Sequence, residues 1–254
     1  MIALRPATLL WSLTLLAALV ALWWAASTAQ WVSKVFLPTP GAAWDSLWEG
    51  LRHGELAGFT SATIARMAQG WLLASGVGIA LGAAIGVSAH ARAYLQPMLE
   101  FIRPLPASAI IPLAIAIWGL SPSMVLAVVA FGALWPVLLA TVHGFASVEP
   151  RLHEVARCLG LSRADYVWKI GLPNAMPDIL SGMRLSMTVS LIVTVVGEMI
   201  ASQAGLGQAI LLAARSFRAS ELFAGIILLG AIGFLSNALL ALVERRLLRW
   251  QRPH

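Results

Sequence analysis

Apolar residues run along this chain in six blocks, at about 7–26, 67–87, 107–119, 124–145, 179–200 and 222–243, and the polar residues are confined to the joints between them. Five blocks have the roughly 20 residues that a helix needs to cross about 30 Å of hydrocarbon. The third is shorter, and its approach, QPMLEFIRPLPASAIIPLAIAIWG, carries Pro97, Pro104, Pro106 and Pro112. Proline removes a backbone donor and kinks a helix. The pattern therefore predicts a third span that is bent or preceded by an interfacial piece. Such a break survives in a bilayer only where neighbouring protein or a cavity satisfies the freed carbonyls, which points to a packed bundle rather than a simple anchor.

The joints have patterns of their own. After the first block, turn residues at 38–41 precede Trp44, Leu47, Trp48 and Leu51 at helical spacing, the signature of a short amphipathic helix lying on a surface. The stretch SQAGLGQAILLAARSFRASE, after the fifth block, is too apolar for a solvated loop and too short to span, so a re-entrant or surface-lying scoop is expected. Between the fourth and fifth blocks lies EVARCLGLSRADYVWKIGLP, a charged insert. Pro150 suits the first position of a helix, with Glu149 before it. Gly160 suits a left-handed C-terminal stop, Ser162 and Asp165 a second start, and Gly171 with Pro173 a second stop. Leu152, Val155, Ala156 and Leu159 share one face of the first helix. Two roles are open for that stripe: a partner's docking face, or packing on the membrane or on the chain's own bundle.

Composition makes the bilayer the solvent. Of 254 residues 59% are hydrophobic and only 11% charged, against about a quarter charged in soluble domains; the mean hydropathy is +0.83. The net charge of +6 is better read through the positive-inside rule than as a nucleic-acid signal. With the N-terminus inside, Arg5, Arg92, Arg103, Arg151, Arg157, Arg163, Lys169, Arg245, Arg246, Arg249 and Arg252 fall inside and only Lys34, Arg52, Arg215 and Arg218 outside. Both termini and the charged insert are then cytoplasmic. The first block exceeds the roughly 7–15 residues of a signal-peptide core, and Trp23 and Trp24 suit interfacial anchoring, so it reads as a retained span. The single cysteine, Cys158, allows neither a disulfide framework nor a thiolate metal site within one chain and reads as a small packing residue.

The spacing of Glu154, Ala156, Gly160, Ile170, Leu172 and Pro173 resembles the EAA loop of ATP-binding-cassette (ABC) importer permeases, with Val155 replacing the second alanine. LPTP at 37–40, TSATIARMAQGW at 60–71, IIPLAIAIWGL at 110–120 and GEMIASQAGLGQAI at 197–210 are similar to the nitrate, sulfonate and taurine group of those permeases. The resemblance implies an all-α integral membrane protein of the type I importer permease fold, with six transmembrane helices per subunit. It implies a first helix and outer amphipathic segment over 1–58, a transmembrane core over 59–248, and a cytoplasmic tail over 249–254. Within the core come a coupling loop at 146–176 and a periplasmic scoop at 201–220. It further implies a coupling helix that docks on the ATPase through Glu154, Ala156, Arg157, Gly160 and Leu161, and contact with a solute-binding protein near Gly205, Gly207 and Arg215. The expected assembly is a permease homodimer with two ATPase subunits in a bacterial inner membrane.

No cofactor is expected in this chain. The only lysines, Lys34 and Lys169, do not follow a glycine, so the phosphate-cradling loop of an ATPase cannot be built, and ATP and Mg are expected on the partner. Zinc-ligand spacing, a serine-nucleophile elbow and a Cys–His pair are also missing; no catalytic residue, metal ligand or nucleic-acid partner is expected. Ionisable groups inside spans cost about 2.5–3.5 kcal/mol each. Arg66, Arg184 and Glu198 therefore need a reason: an anion path with Glu198 fixing the scoop, or anchoring and ion pairing within the bundle. Glu100 and Arg103, three apart, read as a structural helix pair. An ion-gradient transporter would need buried carboxylates in related halves, and neither an inverted repeat nor a second membrane-embedded acid is visible; a solute-free membrane scaffold is the other alternative.

Overall fold

The computed structural model describes residues 6–248. The chain runs as α1 (Pro6–Thr28), α2 (Pro40–Arg52), α3 (Leu56–Gly86), α4 (Ala89–Ile102), α5 (Ala107–Trp118), α6 (Pro122–Ala146), α7 (Pro150–Cys158), α8 (Arg163–Tyr166), a π-helical turn (Val167–Gly171), α9 (Leu172–Ala201), α10 (Leu206–Arg215) and α11 (Ala219–Leu247). Five of these helices are long and apolar enough to cross a membrane. The pair α4 and α5, bent by 87°, passes the same test together and makes six if it is one span. The tail 249–254, and with it Arg5, Arg249, Arg252 and His254, lies outside the described residues.

The core is α6, sandwiched between α3 and α9. Close approach of α3 to α6 follows from one feature of the sequence: Gly70, Ala74, Gly78, Gly82 and Gly86 recur every four residues and so share a face. A Cβ on Gly82 would sit 2.6 Å from Thr141 Cβ, and one on Gly86 2.6 Å from Phe145 Cβ. Small residues let helix backbones approach where lipid supplies no hydrophobic drive between them. On α9, Gly182 meets the α6 backbone in the same way, its would-be Cβ 2.7 Å from the Pro136 carbonyl. Polar bonds add to this packing. Ser186 donates to the Ala133 carbonyl (2.6 Å) and Ser190 to the Met67 carbonyl (2.8 Å), tying α9 to both neighbours, and the Trp71 indole donates to the Met183 carbonyl (2.9 Å).

Three expectations change. The second span begins at Leu56 rather than near 67, because its polar first turns, including Thr63 and Arg66, find partners inside the fold; the boundary drawn at 58/59 falls within this helix. Pro40 opens α2, with Thr39 accepting the Ala42 amide (3.2 Å), so it starts the helix rather than serving a preceding turn. Gly171 and Pro173 do not stop the second helix of the insert. The chain continues from α8 through the π turn into α9, with the Leu172 amide bonded to the Val167 carbonyl. Gly171 is helical, and a Cβ there would lie 2.5 Å from the Phe145 ring; it permits close packing. The wider π turn absorbs the proline that follows.

Candidate functional site

The charged insert folds as two helices around a glycine stop. The Gly160 amide donates to the Arg157 carbonyl (3.1 Å) and the Leu161 amide to the Ala156 carbonyl (3.0 Å), the two bonds of a Schellman motif. Gly160 sits at φ +64, the left-handed region that glycine enters without strain. Ser162 then accepts the Asp165 amide (3.1 Å) and donates to its carboxylate (2.6 Å), starting α8. Tyr166, nearly buried, hydrogen-bonds His153 Nε2 (2.8 Å), bracing α8 against α7. Asn174 donates to the Gly144 carbonyl (3.1 Å) and so ties the start of α9 to the end of α6. The insert's two helices are thus braced against each other, and α8 runs on through the π turn into α9, which is itself tied to α6.

Its apolar stripe is divided. Leu152, Val155 and Leu159 are 39%, 48% and 69% exposed, whereas Ala156 is 6% exposed. Ala156, expected at a partner contact, is turned into the chain's own packing. Glu154, Arg157 and Gly160 are exposed and Leu161 half-buried. Cys158 is exposed and is not the packing residue expected of it, because it shares the polar face of α7 with Arg151 and Glu154.

A second constellation lies at the other end of α9. Glu198 is fully buried and forms an ion pair with Arg66 of α3, whose side chain is 15% exposed. Thr63 donates to both carboxylate oxygens (3.0 Å each) and accepts the Leu206 amide (2.9 Å). The Gly207 amide donates to Glu198 Oε2 (2.9 Å), and Arg66 also reaches the Ala204 carbonyl (3.4 Å). Helix α10 has no side-chain cap of its own, since Gly205 holds the cap position. Thr63 and Glu198 cap it from neighbouring helices, and the carboxylate meets the positive end of the helix. Gly205 and Gly207 are buried, and a Cβ on either would collide with Glu198 or with the Val195 carbonyl. Their smallness serves this close approach, not an outer surface contact; Arg215 is exposed.

Both of these arginines are ion-paired. Arg66 belongs to the Glu198 pair, and Arg184 pairs with Glu244 of α11. Pattern reading did not single out Thr63, Trp71, His153, Tyr166, Ser186 or Ser190. The two serines carried a signal, four apart in an apolar helix; the others pair across 13 to 135 positions of sequence and left none. Among the described residues no group of three or more His, Cys, Asp or Glu side chains could hold a metal ion.

A membrane bundle carrying a braced, charged two-helix insert is the build of an importer permease, and the chain belongs to that class: residues 76–249 match the family described as "Binding-protein-dependent transport system inner membrane component". Within it, the chain is 35% identical to the aliphatic sulfonates transport permease protein SsuC of Bacillus subtilis over 95% of this chain and 88% of that one. It is 31% identical to the taurine transport system permease protein TauC of Escherichia coli (94% and 89%). It is 34% identical to the nitrate import permease protein NrtB of Leptolyngbya laminosa (73% and 67%). The fold is also that of a crystal structure of an amino acid ABC transporter with histidines, at a TM-score of 0.55 and 24% identity over 74% of this chain and 93% of that one. This is a multi-pass membrane permease subunit of an ABC importer in the sulfonate, taurine and nitrate group.

Proposed function

We propose that this subunit imports a small anion such as a sulfonate, taurine or nitrate, driven by ATPase subunits that bind ATP and Mg on separate chains. The observation that carries the coupling role is the exposed stripe Leu152, Val155 and Leu159 on a helix braced against α8, which runs on into α9. Apolar side chains at i, i+3 and i+7 on a rigid helix, flanked by Glu154 and Arg157, suit a hydrophobic groove with a charged rim. Gly160 and Leu161 shape the end of that helix. Movement of the ATPases would reach α6 and α9 through the Tyr166–His153 and Asn174–Gly144 bonds and switch the bundle between inward and outward access.

The substrate class rests on the names of the relatives, which favour an ATP-driven importer over an ion-gradient transporter or a scaffold. The setting that goes with them is a bacterial inner membrane with both termini and the insert in the cytoplasm, a permease homodimer, and a solute-binding protein outside near Arg215. In co-purification of permease and ATPase, Leu159→Asp is expected to lower ATPase recovery about tenfold or more. Because that side chain is exposed, the thermal unfolding midpoint of the permease should stay unchanged. Full ATPase recovery by Leu159→Asp and Val155→Asp would overturn the coupling assignment.

A further inference from the structure

The helix pair expected of Glu100 and Arg103 does not form, since Glu100 accepts the Gln96 side-chain amide instead (3.0 Å). Arg184 and Glu244 do pair, and they join α9 to α11 beside a groove of about 500 Å³ walled by those two helices and α3. Its lining is hydrocarbon and thioether almost throughout. Ser236 supplies one hydroxyl, and the Trp71 indole N–H is already spent on the Met183 carbonyl (2.9 Å). A polar solute entering the groove would lose its hydrogen bonds to water without replacement, so the fitting occupant is hydrocarbon. Along α11 the wall runs from Ser236 to Leu247, about 16 Å at 1.5 Å per residue. One leaflet of a bilayer holds roughly 15 Å of hydrocarbon. Spread over that length, the volume gives a mean cross-section of about 30 Å², whereas a helix 10–12 Å across needs about three times as much. The slot is too narrow for another span and wide enough for one extended chain. Met176, Met183 and Met187 in its wall adapt their shape to an irregular occupant.

The end of the groove nearest the charged insert, lined by Leu172 and Leu247, is cationic. Arg246 comes three residues after Val243 and one before Leu247, both in the wall, so it flanks the mouth. It is exposed and has no acceptor among the described residues. Arg184 comes four residues after Leu180 and three before Met187, again both in the wall. It pairs with Glu244 through one amine, and its Nε is buried without an acceptor. Glu244 is thereby engaged, and Asp178, the other acid of the wall helices at this end, falls on the opposite face of α9 from the groove. We propose that the groove binds one anionic phospholipid per chain, with an acyl tail lying between α3, α9 and α11 and the phosphate between Arg246 and Arg184. A basic pocket at the end of an apolar slot between spans is the chemistry that holds such headgroups. Only 11% of the apolar window of α11 is buried within the chain, and the lipid completes its contact with α3 and α9. The inference goes beyond the transport reading and does not depend on the solute.

The test places the assembled importer in phosphatidylcholine nanodiscs doped with a trace of photoactivatable lipid. Two probes are compared, phosphatidylglycerol and phosphatidylcholine carrying the same diazirine near the end of one acyl chain, and the adducts are located by peptide mass spectrometry. Labelling of α1, whose apolar window is only 6% buried, serves as the internal reference for lipid in general contact. Relative to α1, the glycerol lipid should label the peptides around Trp71, Met183 and Ser236 about tenfold more than the choline lipid, since each basic residue at a membrane surface favours an anionic headgroup several-fold. Arg246→Gln should cut that preference about fivefold, and Arg246→Lys should keep most of it. Ser236→Phe fills the deep end and should lower groove labelling by both probes several-fold while α1 is labelled as before. Arg246 is exposed, so its variants keep the fold and decide the question even where Ser236→Phe does not fold. Equal preference in the groove and on α1, a preference that survives Arg246→Gln, or a groove that stays unlabelled because a second copy covers it would overturn the proposal.

Discussion

Glu198 shows how one side chain is held by several neighbours. A carboxylate in a span is tolerated here because Arg66, Thr63 and the Gly207 amide satisfy it together. Removing one partner of a buried pair typically costs about 3–5 kcal/mol, since the other is left uncompensated. Glu198→Ala is therefore expected to lower the thermal unfolding midpoint of the detergent-purified protein sharply, and more than Ser202→Ala on the same turn, whose side chain is exposed. Gly160 offers a subtler case. Its φ is +64 and nothing lies within 4 Å of a would-be Cβ, so a substitution there meets backbone strain and no clash. Gly160→Ala should cost about 1–2 kcal/mol of local stability and Gly160→Asn less, because asparagine tolerates the left-handed region. Hydrogen exchange across α7 measures that order directly.

At the scale of elements, the small-residue face of α3 separates packing from propensity. Gly82 lies against Thr141 and the Leu138 carbonyl, while Gly76, on the same helix, has open space around it. Gly82→Ala should destabilise by about 1–3 kcal/mol through overpacking. Gly76→Ala should be neutral or stabilise by up to about 1 kcal/mol, since glycine loses more conformational freedom than alanine when it enters a helix. Unfolding midpoints of the two variants, measured side by side, test whether α3 meets α6 as described. The period that places Gly70, Ala74, Gly78, Gly82 and Gly86 on one face was present in the sequence, as was the start of α7 at Pro150, whereas Pro40 has the chemistry of a turn and only the Thr39 cap shows that it opens α2. The continuous passage from α8 into α9 was not legible. Gly171 and Pro173 have the chemistry of a helix stop, and only the Phe145 ring packed against Gly171 reveals the other use of that glycine.

At the scale of the molecule, the bundle joins the charged insert to the Glu198 constellation through α9, whose first turns carry Asn174 and whose last turns carry Glu198. A permease homodimer predicts two copies of this chain per pair of ATPases, and native mass spectrometry of the complex reads that stoichiometry; a single copy would overturn it. Taken alone, the sequence determined the bilayer as solvent, the existence and kind of nearly every long helix, and the hinge at Gly160. These follow from hydropathy, period and backbone chemistry, which act over a few neighbouring residues. Only the tertiary structure decided what the membrane-embedded charges do. Whether Arg66, Arg184 and Glu198 line a path or pair within the bundle depends on partners 60 to 132 positions away, and no local pattern encodes which distant side chain arrives. The same holds for Ala156, Gly205 and Gly207. Their smallness was visible in the sequence, but whether a small residue offers its face to a partner or to its own chain is settled by what packs against it.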